Sequence, residues 1–249
     1  MNLLESNRAE WPAEGTVFPV SAVRIDVSPE PHPFHLAEVE RAQESWQREI
    51  AANPHLFDGR MVLQRAIRID GGRIVANAHV VPYSTFLWWR KSRAPGALHI
   101  FAMPMLLSSD GAMIAIRMGS HTANAGRVYS PGGSLEPEDI VDGRCDIDGN
   151  IAREVREETG IELSEATAEP GYHAVHMKGT VVVFRTHRLA ATADELVSRV
   201  ARHVSTDPHP EIDEAVAIRG PKPDAHNYPD FFPAILEWHF AKNGGRADP

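Results

Sequence analysis

Cysteine is nearly absent: Cys145 stands alone in 249 residues. One thiol cannot close an intramolecular disulfide or supply a multi-thiolate zinc or iron–sulfur site. Long apolar runs are missing as well. No stretch approaches the roughly 20 consecutive apolar residues that a membrane span needs, so no membrane partner is expected. The opening MNLLESNRAEWPAEG carries acids and polar side chains, where a secretory leader needs basic residues followed by an apolar core, and a cytoplasmic location is expected. Basic residues are also short, with Lys plus Arg at 25 against 34 Asp plus Glu and a net charge of −9. Neutralising a nucleic-acid backbone requires clustered Lys and Arg, so no nucleic-acid partner is expected. The 13 histidines are scattered, and none shows the HExxH or HxH spacing that puts two imidazoles on one metal. The remainder is ordinary globular composition, 43% hydrophobic and 24% charged. A chain of this length buries roughly 70–75% of the surface its unfolded form exposes, enough to fold without cross-links.

Periodicity and turn residues outline the elements. Residues 16–27 are rich in β-branched side chains and read as a strand, at an edge because of Pro19. Leu36, Val39, Ala42, Trp46 and Ile50 have helical spacing over residues 36–52, and Asn53-Pro54 stops the run. Two β-rich segments flank Asp70-Gly71-Gly72 as a hairpin. Arg93-Ala94-Pro95-Gly96 is the candidate boundary between an N-terminal α+β region, residues 1–95, and a second domain, residues 96–249. Beyond it, strands are expected at 98–107, 112–118 and 127–130, then a helix at 149–159. Further strands fall at 172–186 and 215–218, with helices at 193–203 and 231–241. Strands and helices mixed in this order imply an α/β/α sandwich on a mixed sheet.

One region departs from ordinary amphipathic sequence: Pro131-Gly132-Gly133-Ser134-Leu135-Glu136, followed after a gap by REVREETGI from Arg153 onwards. On a helix, Glu154, Glu157 and Glu158 fall within an arc of roughly 100°, beside the apolar sector of Ile151, Ala152, Val155 and Thr159. Asp148 is the expected N-cap, and Gly160 the residue of positive φ that ends the helix. Like charges at i,i+4 disfavour an isolated helix, and a hard divalent cation such as Mg²⁺ relieves that repulsion through oxygen ligands. A solvated acidic face is the other reading of such a cluster.

The order of residues here resembles the Nudix hydrolase family. Its box runs Gly, five residues, Glu, seven residues, then Arg-Glu-aliphatic-x-Glu-Glu-x-Gly-aliphatic. The second half is matched at every fixed position by Arg153, Glu154, Val155, Glu157, Glu158, Gly160 and Ile161. The first half is matched through Gly133, but five residues on stands Asp139, not Glu. Thirteen residues then separate Asp139 from Arg153, an insertion of six. Asp139, Glu138 and Glu136 therefore all remain candidates for the first acid. The resemblance implies a Nudix-type fold over residues 96–249 and hydrolysis of the diphosphate linkage in a nucleoside diphosphate joined to another moiety. It implies Mg²⁺ or Mn²⁺ held by Glu154, Glu157 and Glu158 beside Gly133, with Glu154, Glu157 and Arg153 in the catalytic set. Arg153 would orient the acids by charge-assisted hydrogen bonds, and Gly132 with Gly133 would let the backbone approach the metal–phosphate cluster.

Bridging cations would let an acidic protein hold an anionic substrate. Arg117 and Arg127 are the candidate phosphate clamps. The general base is sought outside the box, at Glu211 or Glu214, with Asp139 or Glu138 as further candidates; Glu214 enters the catalytic set. Trp46, Pro54 and Leu56-Phe57-Asp58-Gly59, with the lengthened box, resemble a subgroup containing a mammalian UDP-glucose/UDP-galactose pyrophosphatase, so an NDP-sugar such as UDP-glucose is the first substrate expected. The partner is thus a small-molecule nucleoside diphosphate derivative; assembly, a homodimer included, is open. A Nudix-fold module that senses a nucleotide without cleaving it, and an isomerase using Cys145, are the alternatives.

Overall fold

The computed structural model describes residues 11–243. Residues 1–10, most of the stretch read above against a leader, and residues 244–249 lie outside the described residues. The class is α/β, with mixed sheets and five helices among the described residues. The N-terminal part runs β1 (Phe18–Val20), β2 (Ala22–Ser28), α1 (Pro33–Ala52), β3 (Arg60–Asp70), β4 (Arg73–Pro82) and α2 (Tyr83–Ser92). The rest follows as β5 (His99–Leu107), β6 (Met113–Met118), β7 (Val128–Tyr129), β8 (Ile140–Val141), β9 (Arg144–Cys145) and α3 (Ile147–Thr159). The chain continues through β10 (Thr167–Ala168), β11 (Tyr172–Met177), β12 (Thr180–Arg188), α4 (Ala193–Thr206), β13 (Ile212–Ile218) and α5 (Phe232–Asn243).

The strands form two sheets. The larger orders β1-β11-β12-β5-β6-β13, with β10 beside β12 and β7 beside β6; the smaller orders β3-β4-β2-β9-β8. Pairing is parallel between β12 and β5 and between β2 and β4, and antiparallel elsewhere. Central strand β5 is buried along its whole length, as a two-sided strand requires. Residues 16–27, read as one strand, divide at Ser21. Phe18–Val20 edges the large sheet against β11, where Pro19 costs no ladder bond, and Ala22–Ser28 enters the small sheet. The Gly71-Gly72 turn closes β3 on β4 with both residues at positive φ, as a two-residue hairpin demands.

Two features lay beyond the periodicity. The six-residue insertion folds as the hairpin β8–β9 around Asp142-Gly143, and Arg144 pairs across to Asp26 of β2. It thereby stitches the box to the N-terminal sheet. Helix α2 follows β4 without a loop and packs on α1, β3 and β4. Asp58, from the Leu-Phe-Asp-Gly stretch, accepts a hydrogen bond from the Ser84 N–H at 2.7 Å and so caps its first turn. The Trp88 indole donates to Glu38 at 2.9 Å, and Lys91 pairs with Glu49, tying α2 to α1.

Candidate active site

Helix α3 is built from a four-residue rhythm. Ile147, Ile151 and Val155 make a fully apolar stripe into the core, and Glu158 and Thr159 extend the same face. Its N-cap is Asp146, which accepts from the Gly149 N–H at 3.0 Å, one turn-corner earlier than the expected Asp148. Asp148 sits in the first turn and pairs with Arg185 at 3.0 Å instead. Gly160 ends the helix at φ 65°. Because the stripe runs on into position 158, the three glutamates are not equivalent. Glu158 is buried, Glu154 nearly so at 14% side-chain exposure, and Glu157 open at 53%.

Arg153 gathers acids from two segments. Its guanidinium lies 2.9 Å from Glu154, 3.0 Å from Glu157, 3.1 Å from Asp139 and 3.7 Å from Glu138. Burial alone would lower its pKa, but Asp139, Glu154 and Glu157 hold it above the usual value. Of the three candidates for the first acid, Asp139 is the buried one. It also accepts from the Asn150 amide at 3.0 Å and the Glu136 N–H at 2.8 Å, so its lone pairs are committed to fixing Arg153 and the turn before α3.

The glycine loop meets the acids directly. The Gly132 N–H donates to Glu158 at 2.8 Å, and Gly132 takes φ 147°. A Cβ on Gly133 would fall 2.5 Å from each carboxylate atom of Glu154, so that carboxylate occupies the space a side chain would fill. Burial, then Glu157, Glu136 and Glu211, push the Glu154 carboxyl up to about 8 against the pull of Arg153. Burial and the Glu154 charge push Glu158 well above the carboxylate range, the Gly132 N–H opposing. Two acids are thus held out of water, and one arginine does not offset the cost of burying their charge. Among the described residues, no three His, Cys, Asp or Glu side chains converge as they would around an ion.

The other expected residues separate. Arg117 and Glu214 are register partners on β6 and β13, and their side chains pair with each other at 2.8 Å on the exposed surface. Each is the other's partner in this arrangement, and neither lines the cavity beside the glycine loop. Glu211 is the acid of this loop whose charge reaches Glu154 and Glu158. Its carbonyl is fixed by the Gly119 N–H at 2.8 Å. Cys145 is buried and its thiol is pushed up to about 12 by that burial, which leaves an isomerase without a reactive thiolate.

Arg127 lines a cavity of about 630 Å³ together with Gly132 and Gly133. Another part of the lining was not foreseen: it comes from α2 through Tyr83, Phe86, Trp89 and Arg90, then Arg93 just beyond. The signal was present as YSTFLWWRKSR, rings and cations at three- and four-residue spacing before the proposed boundary, but spacing alone does not say what a helix faces. Tyr129 links cavity and acids. Its ring lines the cavity, and burial, then Glu158, raises its hydroxyl pKa.

No family model matches the chain, and no curated protein does. Solved structures to which it is similar include three of low identity. The MutT protein of Methanosarcina mazei Go1 is 19% identical over 58% of this chain and 94% of its own, with a TM-score of 0.40. A Nudix hydrolase from M. smegmatis is 15% identical over 60% and 86%, with a TM-score of 0.37. A C. elegans Ap4A hydrolase is 12% identical over 48% and 79%, with a TM-score of 0.35.

Proposed function

We propose that the chain is a divalent-metal-dependent hydrolase of the phosphoanhydride bond in a nucleoside diphosphate derivative, with an NDP-sugar such as UDP-glucose as first substrate. The carrying observation is the pair of acids on one face of α3, Glu158 buried and Glu154 nearly so, pressed against Gly132 and Gly133, with Glu154 anchored by Arg153. All the donors are oxygens, which suits a hard cation, and cation binding would offset the cost of burying charge that chiefly raises both pKa values. Glu154, Glu157 and Glu158 do not converge as three ligands, so they would have to close together by side-chain rotation to hold Mg²⁺ or Mn²⁺ there. When bound, the ion would polarise the phosphate and lower the pKa of the attacking water.

The chain's own residues do the rest. Arg153, pinned by Asp139, fixes the rotamers of Glu154 and Glu157. Gly132 and Gly133 leave the backbone open for a phosphate to approach. Arg127 lies on the cavity side of that loop and would hold phosphate oxygens. Glu211 is the candidate acceptor of the water's proton. Water adds across the P–O–P bridge, and UDP-glucose would yield UMP and glucose 1-phosphate. The test is a panel of nucleoside diphosphate derivatives with Mg²⁺ or Mn²⁺, products identified by mass spectrometry, in wild type and Glu157→Gln. Metal-dependent cleavage lost in the variant supports the reading. Binding without cleavage across the panel would make the chain a sensing module.

A further inference from the structure

Helix α3 carries two of its acids at an end that suits them badly. Glu157 and Glu158 stand in the last turn, just before the C-cap Gly160. The final carbonyls of a helix have no partner within it, and that end bears a partial negative charge that disfavours carboxylates. Helix α4 meets this end on the side away from the cavity. Its buried stripe of Ala193, Leu196 and Val200 packs into the core, and a capping box of Thr192 and Glu195 fixes its start. Arg199 and His203 are four residues apart and project from one edge of that stripe. His203 Nε2 donates to the Glu157 carbonyl at 2.8 Å; a carbonyl only accepts, so the ring carries its proton on Nε2. Arg199 donates to the Gly160 carbonyl at 3.0 Å and is itself held by the Glu165 carboxylate at 2.6 and 2.8 Å. A Cβ on Gly160 would fall 2.7 Å from His203 Nδ1 and 2.8 Å from its Cγ, so the imidazole lies directly against the bare glycine.

Both side chains are only half-buried, and neither lines the cavity. The apolar stripe already packs α4, so what these two residues add is donors to the end of α3. The consequence reaches the site through the main chain. Glu158 accepts the Gly132 N–H at 2.8 Å, and unwinding the turn would carry its carboxylate away from the glycine loop. Glu157 would leave Arg153, which it meets at 3.0 Å, in the same movement. We propose that His203 and Arg199 are positioning residues: they hold the last turn of α3 helical, and thereby keep Glu157 and Glu158 in register with Glu154 and with Gly132-Gly133. A residue that only packs the two helices together would contribute stability and nothing to the acids.

The inference rests on the hydrolase reading for what the acids do, so one arm of its test runs without metal or turnover. Amide hydrogen exchange in EDTA is followed in wild type, His203→Ala, His203→Gln and Val200→Ala. His203→Ala should speed exchange of the Glu158, Thr159 and Gly160 amides at least about tenfold while the amides of β5 keep their rates. His203→Gln, whose amide can donate where Nε2 does, should restore most of the protection. The second arm measures Mn²⁺ affinity by calorimetry, and kcat and KM for UDP-glucose at saturating Mn²⁺. His203→Ala should weaken Mn²⁺ binding and lower kcat, each at least about fivefold, with KM within about twofold of wild type, and glutamine should again restore both. Val200→Ala cuts a buried side chain on the same helix and leaves both donors in place. It should lower Tm yet keep Mn²⁺ affinity and kcat within about twofold of wild type. Unchanged exchange at the end of α3 in folded His203→Ala, no rescue by glutamine, or a Val200→Ala protein losing as much Mn²⁺ affinity as His203→Ala would overturn the proposal. A wild type that neither binds Mn²⁺ nor cleaves would instead sink the hydrolase reading, and the exchange arm would still decide whether His203 holds the turn.

Discussion

Replacing Gly132 or Gly133 by alanine is the same chemical change at adjacent positions, yet the structure separates the two outcomes. At Gly132 the backbone takes φ 147°, and the new methyl would lie 2.7 Å from the Ala102 carbonyl and 2.8 Å from the Met103 Cβ on β5. Neither neighbour can yield without bending the central strand. Backbone strain of about 1–3 kcal/mol adds to overpacking of about 1–3 kcal/mol. At 2–4 °C per kcal/mol, a total on the order of 4 kcal/mol lowers Tm by roughly 10 °C. At Gly133 the methyl meets only the end of the Glu154 side chain, at 2.5 Å. That carboxylate can turn aside for about 1 kcal/mol, so Tm should move by no more than about 3 °C. What Gly133→Ala removes is the seat of Glu154 beside the loop. Turnover should fall about 100-fold, or about 2.7 kcal/mol of barrier. Circular-dichroism melts and a coupled phosphate assay on both variants decide the matter. A Gly132→Ala protein melting with wild type, or a Gly133→Ala protein retaining full turnover, would refute the reasoning.

Mg²⁺ or Mn²⁺ should raise the wild-type Tm, and the rise should shrink in Glu154→Gln and Glu158→Gln, since only the native state assembles the acids; equal shifts in all three would mean nonspecific binding. Glu211→Gln should cut kcat at least about tenfold, whereas Glu214→Gln, which only frees Arg117 on the surface, should leave it near wild type; the reverse order in a kinetic comparison would return the base to β13. Burial lowers the His32 pKa to about 4, so the unfolded chain takes up this proton first as pH falls. Stability from the buried neutral ring is then complete above about pH 6.5 and is lost towards pH 4, on the order of 3 kcal/mol. His32→Asn, which can still accept from the Phe34 N–H, should flatten that part of a urea-melt pH profile, and an unchanged slope would count against it.

Local pattern carried much of the fold. The Gly71-Gly72 hairpin, the helices other than α2 and the apolar stripe of α3 are all set by neighbours within a few residues. What stayed hidden depends on distant pairing. Nothing in residues 16–27 announces that Ser21 divides two sheets, because β11 and β4 supply the partners. The insertion could be counted, but not placed on Asp26, 118 residues earlier. At the site, the shared face of the three glutamates was legible from helical spacing and Arg153 entered through the family resemblance, whereas the glutamates' inequality was hidden, since it follows from how deeply α3 seats against β5. Arg117 and Glu214 looked suitable as separate residues, and only the register of β6 against β13 shows that they satisfy each other.

The acids beside Gly132 and Gly133 are proposed to bring about metal-dependent cleavage of a phosphoanhydride. The most direct measurement is the rate of UMP and glucose 1-phosphate release from UDP-glucose, with Mg²⁺ or Mn²⁺ and with EDTA, in wild type and in folded Glu154→Gln. Cleavage is expected in the wild type with metal, none in EDTA, and a loss of at least about 100-fold in the variant. Cleavage that persists in EDTA, or a Glu154→Gln protein as fast as wild type, would contradict it.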